Sequence, residues 1–257
     1  MLQPVEESAP GAAVALVVPV EAGLHARVLD NLGTAICGGE LRPGMVLNID
    51  DLVDRYAVSR SVVREVLRVL ASIGFIETRR RVGVMIRPND AWNVFDPQVI
   101  RWRLASSGRI AQLRSITELR TAVEPHAALL AAARVGHDEA SDLVGLAAKM
   151  WAAGKAGDEE RFLELDIEFH RRILVASGNE MFVRLQDLVA EVLTGRHQHH
   201  LMPHQPHEQA LQLHAEVAQA IQRRDGERAR RAMVQLMEQA FREMSAIWEQ
   251  TGEPGGH

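Results

Sequence analysis

The chain has 257 residues, 47% of them hydrophobic and 25% charged, with few aromatics and a formal net charge of −5. That length exceeds one ordinary domain and suits two, each large enough to bury its own core. A single cysteine, Cys37, excludes an intrachain disulfide framework, and no apolar run approaches the roughly 20 residues of a membrane span, so a cytoplasmic protein with no membrane partner is expected. The apolar stretch 12–20 follows Glu6 and Glu7 and has no basic flank, so it does not read as a signal peptide.

Charge is distributed unevenly. Between Arg27 and Arg87 ten arginines face seven acids, a local +3 that leaves −8 for the remainder of the −5 chain. A basic head on an acidic body suits a nucleic-acid-binding module joined to a sensing module.

Residues 1–22 carry Pro4, Pro10, Gly11 and Pro19 without helical periodicity and read as a mobile arm. Residues 23–88 form the first domain. From Ala26, Val28, Leu29, Leu32 and Ile36 recur at helical spacing until Gly38-Gly39, and Pro43-Gly44 marks a turn. A short helix then starts at a cap, Asn48 or Asp50, and runs to Tyr56. Ala57-Val58 makes the turn, and Ser59 caps a second helix reaching Ile73-Gly74. In that second helix Val62, Val63, Val66, Leu67, Val69 and Leu70 bury one face and leave Arg60, Ser61, Arg64 and Arg68 on the other, where arginine forks can reach base edges and phosphates. "FIETRRRVGVMIRP" then predicts two short strands joined through Arg79 to Gly83. Its hairpin tip, with Arg80 and Arg81, suits a DNA backbone or minor groove, although a triple-arginine run alone is as often a solvated turn.

Residues 89–108 are too apolar for a free linker, and Trp92, Phe95, Ile100 and Trp102 are expected to anchor this connector. Helical periodicity dominates the second domain, 109–249, predicting helices over 110–135, 138–156, 159–176, 179–195, 205–224 and 226–249, followed by a tail at 250–257. Six helices with short breaks make an antiparallel bundle, so the fold class is mostly α with one small β wing. Asp166 and His170 stand four residues apart on one helix face, a spacing that can share a divalent metal, although an intrahelical Asp–His hydrogen bond is its commoner meaning. His214 lies on a later, mostly apolar face, where a core histidine is the commoner case. The histidines of "RHQHHLMPHQPHEQ" (197, 199, 200, 204 and 207) lack fixed spacing and read as a solvated loop, or a lid over a pocket, rather than a second metal site.

The segment "LRPGMVL…LVDRYAVSRSVVREVLRVLASIGFIETRRRVGVMI" resembles the winged helix-turn-helix of the GntR superfamily of bacterial regulators, over about residues 24–88. The resemblance implies DNA contacts from Ser59, Arg60, Ser61 and Arg64 and entry of Gly83 through the wing. Family members often carry an arginine ten residues before the Arg60 position, where this chain has Asp50. "ELRTAVEPHAALLAAAR", "DIEFHRRILVASGN" and "LHAEVAQAIQRRDGERARRAM" resemble the FCD ligand-binding domain of the FadR branch, over about 110–246. That likeness implies a metal held by an aspartate and three histidines, zinc first, with nickel or manganese as alternatives. Asp166, His170 and His214 match three of those positions, and Leu236 stands at the fourth. A carboxylate effector calls for cationic donors, for which Arg120, in the family's E-x-R motif, and Arg242 are the candidates.

The connector and the missing fourth histidine most resemble the sugar-acid branch that answers to galactonate or similar aldonates. The resulting expectation is a homodimer that binds double-stranded operator DNA, an inverted repeat, and represses a catabolic operon until a small carboxylate changes the pose of its recognition helices. Two alternatives stand beside it. One is a metal-dependent hydrolase or lyase using Asp166, His170 and His214, which lacks a nucleophile motif or second acid–base pair. The other is a bundle serving only dimerisation, with a structural polar cluster.

Overall fold

A computed structural model describes residues 20–199 and 207–251. Helix α1 (Val20–Cys37) buries Val28, Leu29, Leu32 and Ile36, and it starts inside the stretch expected to be an arm. Residues 1–19 and 252–257 lie outside the described residues. After α1 the turn around Pro43 and Gly44 closes with the Met45 N–H donating to the Arg42 carbonyl, with Gly44 at φ +86° as its third residue. It leads into strand β1 (Val46–Leu47), which is too short for alternation to reveal in sequence.

Helix α2 (Ile49–Tyr56) takes Asn48 as its cap, with the Asp50 N–H donating to Asn48 Oδ1 at 2.9 Å. Asn48 therefore wins the cap, and the Asp50 side chain is left free to face outward. Helix α3 (Arg60–Ser72) is capped by the Ser59 hydroxyl and buries Val63, Val66, Leu67 and Leu70. Val62 and Val69, expected in that face, are only half-buried at its margins. Strands β2 (Ile76–Arg79) and β3 (Gly83–Ile86) form the antiparallel hairpin, and β1 pairs with β3 to complete a three-stranded sheet of order β1-β3-β2.

A single 3₁₀ turn (Asn89–Ala91) precedes helix α4 (Pro97–Leu104), which Asp96 caps and Pro97 opens. Helix α4 belongs to both cores. Val99 and Trp102 pack into the first, and Ile100 and Leu104 into the second. Trp102 is the principal anchor. Its ring lies tilted against Phe75 with centroids 5.6 Å apart, its indole N–H donates to Asp30 Oδ1 at 2.8 Å, and it covers Gly33 so closely that a Cβ there would sit 2.3 Å from the ring. Phe95, expected among the anchors, is 56% exposed, because the chain is turning from the 3₁₀ segment into the α4 cap at that point.

The second domain is a bundle of α5 (Arg109–Arg134), α6 (His137–Ala156), α7 (Glu159–Ala176), α8 (Glu180–Val183), α9 (Gln186–Gln198), α10 (Glu208–Gln222) and α11 (Gly226–Thr251). The helix expected over 179–195 is broken in two. The Leu185 N–H donates three residues back to the Phe182 carbonyl, which ends α8 and resets the axis so that Leu188, Val189, Val192 and Leu193 of α9 reach the core. Of the histidine-rich segment, His197 and His199 end α9 and His207 precedes α10, while His200 and His204 fall outside the described residues. Among the described residues no helix is long and apolar enough to cross a membrane.

Candidate functional site

Two surfaces carry the chemistry, one exposed and one buried. On the first domain, Ser59, Arg60, Ser61, Arg64 and Arg68 all lie exposed on the outer face of α3, where their spacing put them. The Ser59 and Ser61 hydroxyls are 2.8 Å apart. Arg68 is engaged by Glu65 one turn back, whereas Arg64 makes no ion pair among the described residues. Arg60 Nη2 lies 2.7 Å from Asp50 Oδ1, bridging the first turns of α2 and α3.

At the wing, the Val82 N–H donates to the Arg79 carbonyl, so Arg79 to Val82 form a closed turn. Arg81 occupies its third position at φ +67°, a left-handed conformation that suits glycine far better than arginine. Arg80 and Arg81 are exposed at the tip without an ion pair among the described residues, and Gly83 (φ +109°) opens β3 beside Val46.

The buried site lies inside the bundle. Asp166 and His170 come from α7 and His214 from α10, each buried, and their ligating atoms all fall within 4.8 Å of one another. Asp166 Oδ1 is 3.3 Å from His170 Nε2 and 3.1 Å from His214 Nε2. Each imidazole is anchored through its other nitrogen, His214 Nδ1 on the Ala210 carbonyl at 2.7 Å and His170 Nδ1 on the Glu124 carboxylate. With Nδ1 protons donated outward, both Nε2 atoms are aimed at Asp166. The rings of Phe162 and Phe169 stand edge-on to His214 and hold it in place.

Strong electrostatics follow from burial. Glu124 is held between the Arg120 guanidinium and His170. Burial alone would raise its pKa, but these two cationic neighbours outweigh burial and hold the carboxyl down at about 2. Burial would likewise lower His170, yet the Glu124 carboxylate overrides burial and the opposing Arg120 charge, lifting the imidazole to about 9. Asp166, despite its own burial, is kept far below the usual carboxylate range by its contacts with His170 and His214.

The cavity beside this cluster has about 50 Å³ of free space. Arg120, Arg196 and Gln239 also face it. Arg120 Nη2, Arg196 Nε and Gln239 Oε1 are buried there with no hydrogen-bond partner among the described residues. Arg196 is 4% exposed and lies 3.8 Å from Glu243, and burial, reinforced by the charge of Arg120, pulls its pKa down to about 10. Leu236 stands on the same wall.

Arg242, expected as the second cation, is not at this cavity. On α11 the inward face carries Leu236, Ala240 and Glu243. Arg242 lies on the opposite side with Glu238 and Phe241, along a separate surface groove against α5. Arg196 stands where Arg242 was expected. Arg196 opens the segment whose five histidines lack fixed spacing and read as a solvated loop, so its place on the bundle was not legible from the sequence. Glu124 was also missed, although it lies one helical turn from Arg120 and that spacing could have revealed it.

A winged helix-turn-helix with a cationic recognition helix, joined through a shared helix to a bundle around a polar cavity, defines a two-domain DNA-binding transcription regulator. Residues 24–86 match the bacterial regulatory proteins of the gntR family and residues 115–239 match the FCD domain, so the chain is a GntR-family regulator with an FCD domain. It is similar to the galactonate operon transcriptional repressor of Escherichia coli K12, with 28% identity over 86% of this chain and 96% of that one. It is also similar to the transcriptional repressor RspR of E. coli K12, with 25% identity over 83% of this chain and 85% of that one. Among solved structures, E. coli McbR/YncC shares the fold, with a TM-score of 0.51 and 20% identity over 89% of this chain and 99% of that one. These likenesses are to transcription regulators and not to enzymes.

Proposed function

We propose that the chain is a homodimeric repressor whose bundle senses a small hydroxy-carboxylate, of the sugar-acid class, with a divalent metal. The observation that carries this reading is the pair of buried guanidiniums, Arg120 and Arg196, which line the same cavity as Asp166, His170 and His214 and each keep one N–H group without a partner among the described residues. An unsatisfied buried donor is costly, and two cations side by side more so, unless an anion completes them.

The donor set fits a metal. One carboxylate and two imidazoles with converging Nε2 atoms suit zinc, and also nickel or manganese. Asp166, His170 and His214 would hold the ion, and Glu124 and the Ala210 carbonyl would fix the imidazole tautomers. Leu236 offers no fourth protein ligand, which leaves coordination positions for the effector. A bound ion supplies a Lewis-acidic anchor for a carboxylate or hydroxyl oxygen. Its binding requires His170 to be neutral, so the proton held there is released. Charge balance then favours one acid group. Arg120, Arg196 and protonated His170 offset Glu124, Asp166 and Glu243, and exchanging one proton for a dication leaves a single positive charge for one carboxylate to cancel.

The free space accommodates on the order of three or four waters, enough for a carboxylate head and a hydroxyl. A six-carbon aldonate therefore has to displace the walls, and α9 is the wall with a route outward. Next to Arg196, Gly195 packs on Leu104 of α4, Arg101 of α4 pairs with Glu191 of α9, and Trp102 of α4 is hydrogen-bonded to Asp30 of α1. Effector binding at Arg196 thus moves α9, α4 and the DNA-binding domain together, changing the relative pose of two recognition helices on an inverted repeat.

The test is a thermal-shift series with zinc, zinc plus a panel of sugar acids and smaller hydroxy acids, and the same panel on Arg196→Met. Stabilisation by one acid in the wild type, lost in the variant, is expected, with matching release of DNA flanking the gene in a gel-shift assay. No stabilisation across the panel would favour a purely structural cluster, a reading that the closed Glu124–His170–Asp166–His214 hydrogen-bond chain also permits.

A further inference from the structure

We infer that Asp50 is a specificity-determining residue of the DNA-binding surface: it holds the Arg60 guanidinium for base recognition and keeps it from serving as a phosphate clamp. This rests on the helix-turn-helix binding DNA and is independent of what the bundle senses.

Arg60 is the first residue of α3 and Asp50 the second of α2, so the 2.7 Å contact joins the N-terminal turns of the two helices that face DNA. Both side chains are more than half exposed, at 65% and 58%. An exposed pair of this kind contributes little to folding, so stability does not explain it. Asn48 already caps α2, so capping does not explain Asp50 either.

The pair does alter what Arg60 can do. A free arginine at a helix N-terminus is drawn to any phosphate, because charge and helix dipole both favour the anion. Asp50 offsets that charge and places a carboxylate where a phosphate of any sequence would otherwise approach, and the acidic Asp51 lies beside it. One Nη2 position of the guanidinium lies against Asp50, which biases the orientation of the fork, while its remaining N–H groups stay available. A planar donor fork that is oriented in advance and poorly rewarded by phosphate is matched to the O6 and N7 acceptors of guanine. Binding energy is thereby shifted from sequence-independent backbone attraction to one base pair in each half-site.

The experiment uses the full-length protein and a pool of random DNA duplexes, selected in parallel with wild type, Asp50→Asn, Asp51→Asn, Arg60→Ala and the Asp50→Asn/Arg60→Ala double variant. Affinity for a fixed non-selected duplex is measured across a salt series. Wild type is expected to select a guanine at one position per half-site. Asp50→Asn should relax that preference about tenfold, with the other positions unchanged, and bind the non-selected duplex more tightly with a steeper salt dependence. Asp51→Asn removes the same charge without touching Arg60, so it should tighten non-selective binding while retaining the guanine preference. In the Arg60→Ala background, Asp50→Asn should leave base preference unaltered. An unchanged selected sequence in Asp50→Asn overturns the inference, as does a relaxation that Asp51→Asn reproduces or that persists without Arg60.

Discussion

Two arginine–carboxylate pairs in this molecule use the same chemistry in opposite settings. Arg60 and Asp50 meet on the outer surface of the helix-turn-helix, where water screens them and the guanidinium keeps N–H groups available to an external partner. Arg120 and Glu124 meet inside the bundle, 5% and 2% exposed, where each depends on the other and on His170. In the first setting the pair tunes which external partner is chosen, at little consequence for folding. In the second the charges are part of the fold, and Arg120 Nη2 and Arg196 Nε are left without a hydrogen-bond partner among the described residues.

The sharpest way to break that contrast is to neutralise one carboxylate in each pair. Glu124→Gln removes the shared counter-charge of Arg120 and His170 in a buried site, and a loss of about 3–5 kcal/mol is expected in urea unfolding. Asp50→Asn should lie within about 1 kcal/mol of wild type. Similar losses for the two would mean that burial is not what separates them.

Metal comes next in magnitude. Zinc at one hundred times its dissociation constant should stabilise the protein by about 2.7 kcal/mol, seen as a higher melting temperature that chelation reverses. His214→Ala should abolish that gain, because only two of the three converging ligands remain. A zinc shift of equal size in His214→Ala would place the ion elsewhere.

A smaller effect is expected from Gly195→Ala. The added Cβ would lie 2.5 Å from Leu104 Cδ1, forcing α9 and α4 apart at a loss of roughly 1–3 kcal/mol. Its diagnostic consequence is in coupling. Effector should still stabilise the variant in a thermal shift, yet release DNA less completely in a gel shift. Wild-type release by the variant would exclude α4 as the route between the domains.

The same contrast explains what was legible in the sequence. Val63, Val66 and Leu70 repeat at helical spacing, so α3 and its cationic face followed from pattern alone, and Asp166 with His170 followed from a spacing of four. Long-range pairing is carried by no such pattern. That Arg196 rather than Arg242 meets Arg120 depends on how α9 and α11 rotate about their axes against α5. Strand β1 exists only because β3 supplies its partner, and the short three-residue hydrogen bond that splits α8 from α9 depends on local tightening that hydrophobic periodicity does not record.

The smallest effect on stability belongs to Arg81, and it separates a DNA-contacting wing from a merely solvated turn. Its φ of +67° is a conformation glycine adopts freely, so Arg81→Gly relieves backbone strain while adding freedom to the unfolded chain. The two effects oppose each other, and unfolding should change by less than about 1 kcal/mol. DNA binding should respond differently, because an arginine held against its conformational preference at an exposed tip is in place for an external anion. Affinity for duplex DNA is expected to fall severalfold at low salt, with the salt slope reduced by about 1, in anisotropy titrations of Arg81→Gly. If affinity and slope both match wild type, the triple-arginine tip is no more than a hydrated turn, and recognition resides in α3 alone.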